Sequence, residues 1–101
     1  MFIVVVHHWC KPGMVDAARK RIDGNGEAMA KAPGFHYRCR MEPGSDPLQV
    51  STITAWTDEA AYRAHRGQRP PLNFADPSLP FTKVENTSFI VQSSLGNLRA
   101  A

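Results

Sequence analysis

The chain predicts an α+β fold of ferredoxin-like order, βαββαβ, with a four-stranded antiparallel sheet and both helices on one of its faces. Three observations carry that prediction. Four segments either are rich in β-branched and aromatic residues or alternate with the period of a strand, two others carry helical spacing, and Pro-Gly steps mark three of the connections in the order strand, helix, strand, strand, helix, strand. At 101 residues there is room for one domain, residues 1–101, whose core is thin; a chain of this size buries only a little over ~60% of the surface its unfolded form exposes.

The first strand is Phe2 to Trp9, a run of β-branched and aromatic residues with the character of a buried strand, which Pro12 and Gly13 end. From Met14 to about Ala32 the apolar residues Val15, Ala18, Ile22 and Met29 recur at helical spacing, and Asp16, Arg19, Lys20, Asp23, Glu27 and Lys31 fill the other faces. Gly24 and Gly26 each cost about 1 kcal/mol in a helix interior. They imply either a break near Asp23 or a close approach of the backbone to a strand or ligand.

Pro33 and Gly34 stop that helix. Residues 35–42 alternate, which puts Phe35, Tyr37, Cys39 and Met41 on one face and His36, Arg38, Arg40 and Glu42 on the other. After the loop at 43–47, residues 48–56 alternate again, with Val50, Thr52, Thr54 and Trp56 sharing a face, so strands two and three form an antiparallel hairpin. Thr57 is the expected cap of a second helix running to about Gly67, with Asp58 and Glu59 at the positive end of its dipole. Residues 69–81 hold four prolines and read as a long loop, and Val84 to Ser93 is the last strand.

Composition excludes more than it assigns. With 43% hydrophobic and 21% charged residues the chain is neither disordered nor membrane-spanning, and no apolar run approaches the ~20 residues a spanning helix needs. The net charge of +3 rests on no larger basic run than Arg19–Arg21, flanked by Asp16 and Asp23, so it reads as a solvated helix face rather than a nucleic-acid site. Cys10 and Cys39 stand apart and are expected to be buried free thiols, and the four histidines form no metal-ligand spacing. The opening apolar run has no basic segment before it and is only six residues long, which makes it a strand rather than a leader and a cytoplasmic location the expectation. Alternate apolar side chains on the sheet face away from the helices also need a cover, and a two-fold homodimer packing sheet against sheet is the simplest one.

AlaProGlyPhe at 32–35, the strand ending in Trp56 and AspGluAlaAlaTyrArgAlaHis at 58–65 resemble the antibiotic biosynthesis monooxygenase-type domain, one of the dimeric α+β barrel proteins. The resemblance covers nearly the whole chain. It implies a pocket in each subunit between sheet and helices, and either oxidation of aromatic compounds by dioxygen without metal or flavin or, in other members, haem binding and degradation. Where the cofactor-free oxygenases commonly place an asparagine four residues before the tryptophan this chain has Thr52, and where the haem-degrading members carry one in the first strand it has Val6 or its neighbours.

Trp56 and His65 are the leading catalytic candidates, a π surface to pack against a ring beside an imidazole able to take a proton or ligate haem iron. Thr52, Tyr62, His8 and Phe74 are expected to bind substrate: Tyr62 lies one helical step from His65, His8 shares a strand face with Val4 and Val6, and Phe74 sits in the Pro-rich loop. His7 points to the opposite face from His8. Arg38 and Arg40 either hold an anionic substrate or form ion pairs across a dimer interface, and the interface is the preferred assignment. The expected function is a monooxygenase acting on a small aromatic or quinol substrate with no metal site and no cofactor; a haem-binding protein and a non-catalytic dimeric binding module are the alternatives.

Overall fold

A computed structural model of the protein describes residues 1–67 and 69–96. Its elements are β1 (Phe2–Cys10), α1 (Val15–Met29), β2 (Phe35–Met41), β3 (Gln49–Trp56), α2 (Glu59–Arg66) and β4 (Phe81–Ile90). All pairings are antiparallel and the strand order is β2-β3-β1-β4, the ferredoxin-like arrangement. β1 lies at the centre, with Val6 between Thr52 of β3 and Asn86 of β4.

α1 ends at Met29 and β4 at Ile90, each short of the predicted end, and two starts differ from those the sequence predicts. β4 begins at Phe81, because the Lys11 amide donates to the Pro80 carbonyl and Cys10 pairs with Phe81, so the chain joins the sheet as soon as its last proline is passed. α2 is capped by Asp58, whose carboxylate accepts from the Ala61 amide at 2.9 Å. The Thr57 hydroxyl is engaged elsewhere, 2.7 Å from His36 Nε2.

A bulge in β2 overturns the predicted alternation there. Phe35 pairs with Trp56 and Tyr37 with Ala55, so two steps of β2 oppose one step of β3 and His36 is the extra residue. Phe35 therefore packs on the helix side, edge-on to Trp56 at 5.7 Å, while Tyr37 takes the opposite face. The same shift sends Arg38 and Arg40 toward the helices, where Arg40 pairs with Asp23 at 3.1 Å. They do not lie on the sheet face that the interface assignment required.

The helix-side layer holds two separate cores. One gathers Ala18 and Ile22 of α1 with Cys10, Val50, Leu79 and Phe81. The other gathers Phe2, Val4, Met29 and Trp56, with Phe35, Ala61 and Tyr62 against them. Gly34, at φ +84°, links this second core to α2: a Cβ there would stand 2.5 Å from Ala61 Cβ. α1 is continuous through both of its glycines. Gly24 has open space around it, but a Cβ on Gly26 would lie 3.2 Å from Arg38 Cδ and Nε, so the close approach is made to a side chain.

The opposite sheet face carries Ile3, Val5, Tyr37, Cys39 and Ile53, all half-buried, and Phe89, which is 53% exposed. Cys39 thus lies at this face rather than inside, while Cys10 is buried and its burial pushes the thiol pKa up. On the same face the His7 ring bonds the Ser51 hydroxyl at 2.7 Å.

Candidate functional site

Between the two cores the layer is left open, forming a cavity of about 120 Å³. The local sequence explains the gap. The ends of the layer carry Trp56, Phe2, Leu79 and Phe81, whereas the middle carries Val4, Val6, Thr52 and Thr54, side chains too short to fill the space beneath the helices. Ile22, Asn25 and Met29 of α1 form one wall, and Tyr62, His65 and Arg66 of α2 another. Arg69, Pro70 and Leu72 close the side at the start of the Pro-rich loop.

Four of the residues predicted to form a site meet in this cavity: His8, Thr52, Tyr62 and His65 all line it. Trp56 does not. It is completely buried and donates its Nε1–H to the Thr54 hydroxyl at 3.3 Å. His65 and Tyr62 stand in front of it, with ring centroids 5.5 and 5.9 Å away, so a ligand meets those two side chains first. Phe74, which is 46% exposed, does not line the cavity either. The loop contributes Pro70 and Leu72 in its place.

The two histidines share a surrounding that disfavours their charged form. His8 Nδ1 lies 3.0 Å from the Val50 carbonyl, which can only accept, so Nδ1 carries the proton and Nε2 the lone pair. Burial lowers the His8 pKa against the opposing effect of that bond, and the charges of Arg38, His7 and Arg69 lower it further. His65 is lowered by burial and then by Arg69 and Arg38. Its Nε2 is buried and has no hydrogen-bond partner among the described residues. A buried polar atom left unsatisfied costs about 1–3 kcal/mol, and a ligand hydroxyl donating to Nε2 would remove that cost.

The lining also includes Arg21, Arg38, Arg66 and Arg69 and, among the described residues, not a single carboxylate. Burial and the neighbouring Arg69 charge hold Arg38 below the usual guanidinium range, and its one hydrogen bond among the described residues is a weak one, 3.6 Å to Met29 Sδ. The acids lie just outside, where Arg40 takes up Asp23 and Glu42, and Arg19 takes up Asp16 and Glu42. Arg69, Asn25 and Asn86 line the cavity without having been singled out in the sequence, and Arg38 takes the substrate-side position that was the second of its two assignments. Only the bulge could have revealed Arg38, and Asn86 joins the site because it pairs with Val6, which pairs on its other side with Thr52. An amide thus reaches the row in which Thr52 and Val6 stand without one.

Among the described residues no three His, Cys, Asp or Glu side chains converge to hold a metal ion, and no helix is long and apolar enough to cross a membrane. The family model described as antibiotic biosynthesis monooxygenase matches residues 1–75. Comparison with curated protein sequences finds no match. Solved structures of similar fold include a putative antibiotic biosynthesis monooxygenase from Deinococcus radiodurans, 15% identical over 97% of this chain and 99% of that one, with a TM-score of 0.76. SnoaB, a cofactor-independent oxygenase from Streptomyces nogalater solved as a mutant, is 17% identical over 95% and 98%, with a TM-score of 0.70. A mutant of MhuD with two manganese protoporphyrin IX molecules bound per active site is 18% identical over 96% and 100%, also at 0.70.

Proposed function

The chain belongs to the antibiotic biosynthesis monooxygenase family, and from that premise we propose that it oxidises a single-ring phenol or hydroquinone with dioxygen, without metal or flavin. The observation that carries this reading is His65 Nε2, a buried nitrogen without a partner among the described residues, on a side chain that lines the cavity. The cavity's volume sets the size of the substrate: about 120 Å³ is close to the roughly 150 Å³ of a protein cavity that binds benzene. A porphyrin needs several times that space. His65 could ligate iron, but the site as shaped does not fit haem, and no step of the reaction is assigned to it.

In the proposed reaction His65 takes the proton of a ring hydroxyl: its lowered pKa favours the neutral, proton-accepting form at the cost of a weaker base, and the nearby guanidinium charges drive the transfer by stabilising the phenolate. The phenolate passes one electron to dioxygen, and the radical pair collapses to a carbon–oxygen bond on the adjacent ring carbon. Protonation by His65 gives a hydroperoxide. Loss of water across its C–H and O–O bonds then leaves a carbonyl. Hydroquinone and dioxygen, one molecule of each, thus give one hydroxybenzoquinone and one water, and the ring itself supplies the electrons that reduce the second oxygen atom. The protein binds the ring, holds the proton and limits water; Thr52, Tyr62 and His8 line the space it occupies, and Trp56 backs the wall.

The same reading makes the functional unit a homodimer joined through Ile3, Val5, Ile53 and Phe89, an apolar surface that a soluble monomer rarely leaves in water. Oxygen uptake with hydroquinone in metal-free buffer tests the activity. Uptake that His65→Ala reduces at least a hundredfold supports it; uptake unaffected by His65→Ala, or none with any phenol, ends it. A Soret shift on adding hemin that His65→Ala abolishes would replace it with a haem-binding role.

A further inference from the structure

We propose that the ring taken by this cavity carries a carboxylate, and that Arg38, assisted by Arg69, is the group that recognises it. The proposal rests on the reading that the cavity takes a single aromatic ring, and it narrows the substrate to an anionic member of that class. Two observations on separate elements support it. The first is charge: among the described residues four arginines line the cavity, and no Asp or Glu does. On the same strand Arg40 is neutralised by Asp23 at 3.1 Å and Glu42 at 2.6 Å, so carboxylates are within reach of this region and pair with the outer arginine. Among the described residues neither Arg38 nor Arg69 has a salt-bridge partner.

The second is accommodation. Arg38 passes under α1 where Gly26 offers no side chain, and a Cβ there would press on Arg38 Cδ and Nε at 3.2 Å. A glycine in a helix interior costs about 1 kcal/mol, and here it leaves room for a guanidinium that has only a thioether to donate to among the described residues. A half-buried cation without a counter-ion is destabilising until an anion arrives. The planar fork of a guanidinium matches a carboxylate with two parallel hydrogen bonds. Burial and the charge of Arg69 hold Arg38 below its ordinary pKa, burial and the charges of Arg66 and Arg21 do the same to Arg69, and a bound carboxylate would relieve both.

The test is anaerobic calorimetric titration of the full chain with 2,5-dihydroxybenzoate and, separately, hydroquinone, two ligands that share the ring and differ by the carboxylate. The carboxylate is expected to tighten binding at least tenfold. Arg38→Gln should abolish that advantage by weakening 2,5-dihydroxybenzoate binding at least tenfold more than hydroquinone binding, and Gly26→Ala, which keeps every charge but displaces the guanidinium, should reduce it in the same direction. Arg69→Gln should have a smaller effect, and unchanged thermal melting would show that each variant is folded. Equal affinity for the two ligands, or an Arg38→Gln loss that falls equally on both, overturns the proposal. Because no turnover occurs without oxygen, binding preference and oxidation fail separately: carboxylate preference without oxygen uptake removes the oxygenase reading alone, and hydroquinone oxidation without carboxylate preference removes this one alone. If neither ligand binds, both fall.

Discussion

The two ends of the helix-side layer and its middle are built from the same strands and helices, yet they solve opposite problems. At the ends large side chains interlock: Trp56 meets Phe35 and Tyr62 edge-on, and Phe81 packs beside Ile22 and Val50. In the middle the same strands present Val6, Thr52 and Thr54, and the space above them is ringed by arginines and two histidines whose pKa values are lowered. Packing is therefore concentrated at the ends, and the proposed chemistry is assigned to the gap between them. Substitutions should divide along the same line.

The largest effect on folding is expected from Trp56→Ala, which empties the second core and should cost ~3–5 kcal/mol in denaturant unfolding. A loss below ~1 kcal/mol would show that this end is not the structural anchor. In the middle, His65→Gln should lower the rate of oxygen uptake by ~10²–10⁴-fold, the usual contribution of a positioned base, while shifting stability by less than ~1 kcal/mol. If stability fell as far as in Trp56→Ala, the contrast between ends and gap would collapse. Gly34→Ala acts between the two, because its φ of +84° and the 2.5 Å approach to Ala61 both oppose a side chain. It should cost more than ~1 kcal/mol and lower activity by displacing α2.

A pH titration separates the regions more gently. His8 and His65 have folded-state pKa values below 6.5, so each is neutral in the fold where the unfolded chain would already bind a proton. Their neutral burial is free of penalty above pH 6.5, and stability falls as pH drops below that value toward their folded pKa values. His8→Gln combined with His65→Gln should flatten the slope of unfolding free energy against pH below 6.5. The smallest effect is expected on the far face, where Phe89→Asp should leave the monomer's fold intact and shift sedimentation from dimer to monomer. A parent protein that sediments as a monomer would remove that surface from the functional unit.

Much of the architecture could be read in the sequence because period and punctuation agree along most of the chain. Val50, Thr52, Thr54 and Trp56 do share the helix side, His7 and His8 do part to opposite faces, and α1 does bury Ala18, Ile22 and Met29. The site was legible only where it lies on regular structure, as at His8, Thr52, Tyr62 and His65. Arg38 was hidden because alternation presumes an unbroken ladder, and nothing in PheHisTyrArg announces which residue will be left unpaired. Arg69 and Asn86 enter through tertiary placement alone, one from a loop and one from a strand whose start lay three residues earlier than its composition suggested.

The unpaired His36 makes the inner lining of this protein a matter of parity. With Phe35 facing the helices, a strictly regular β2 of the same length would turn Tyr37 inward and both arginines outward, exchanging the guanidinium of Arg38 for a phenol in the lining without changing a single amino acid. Removing His36 would restore regular pairing and leave Phe35, Arg38 and Arg40 all facing inward, so a one-residue deletion here preserves what a one-residue slip would reverse.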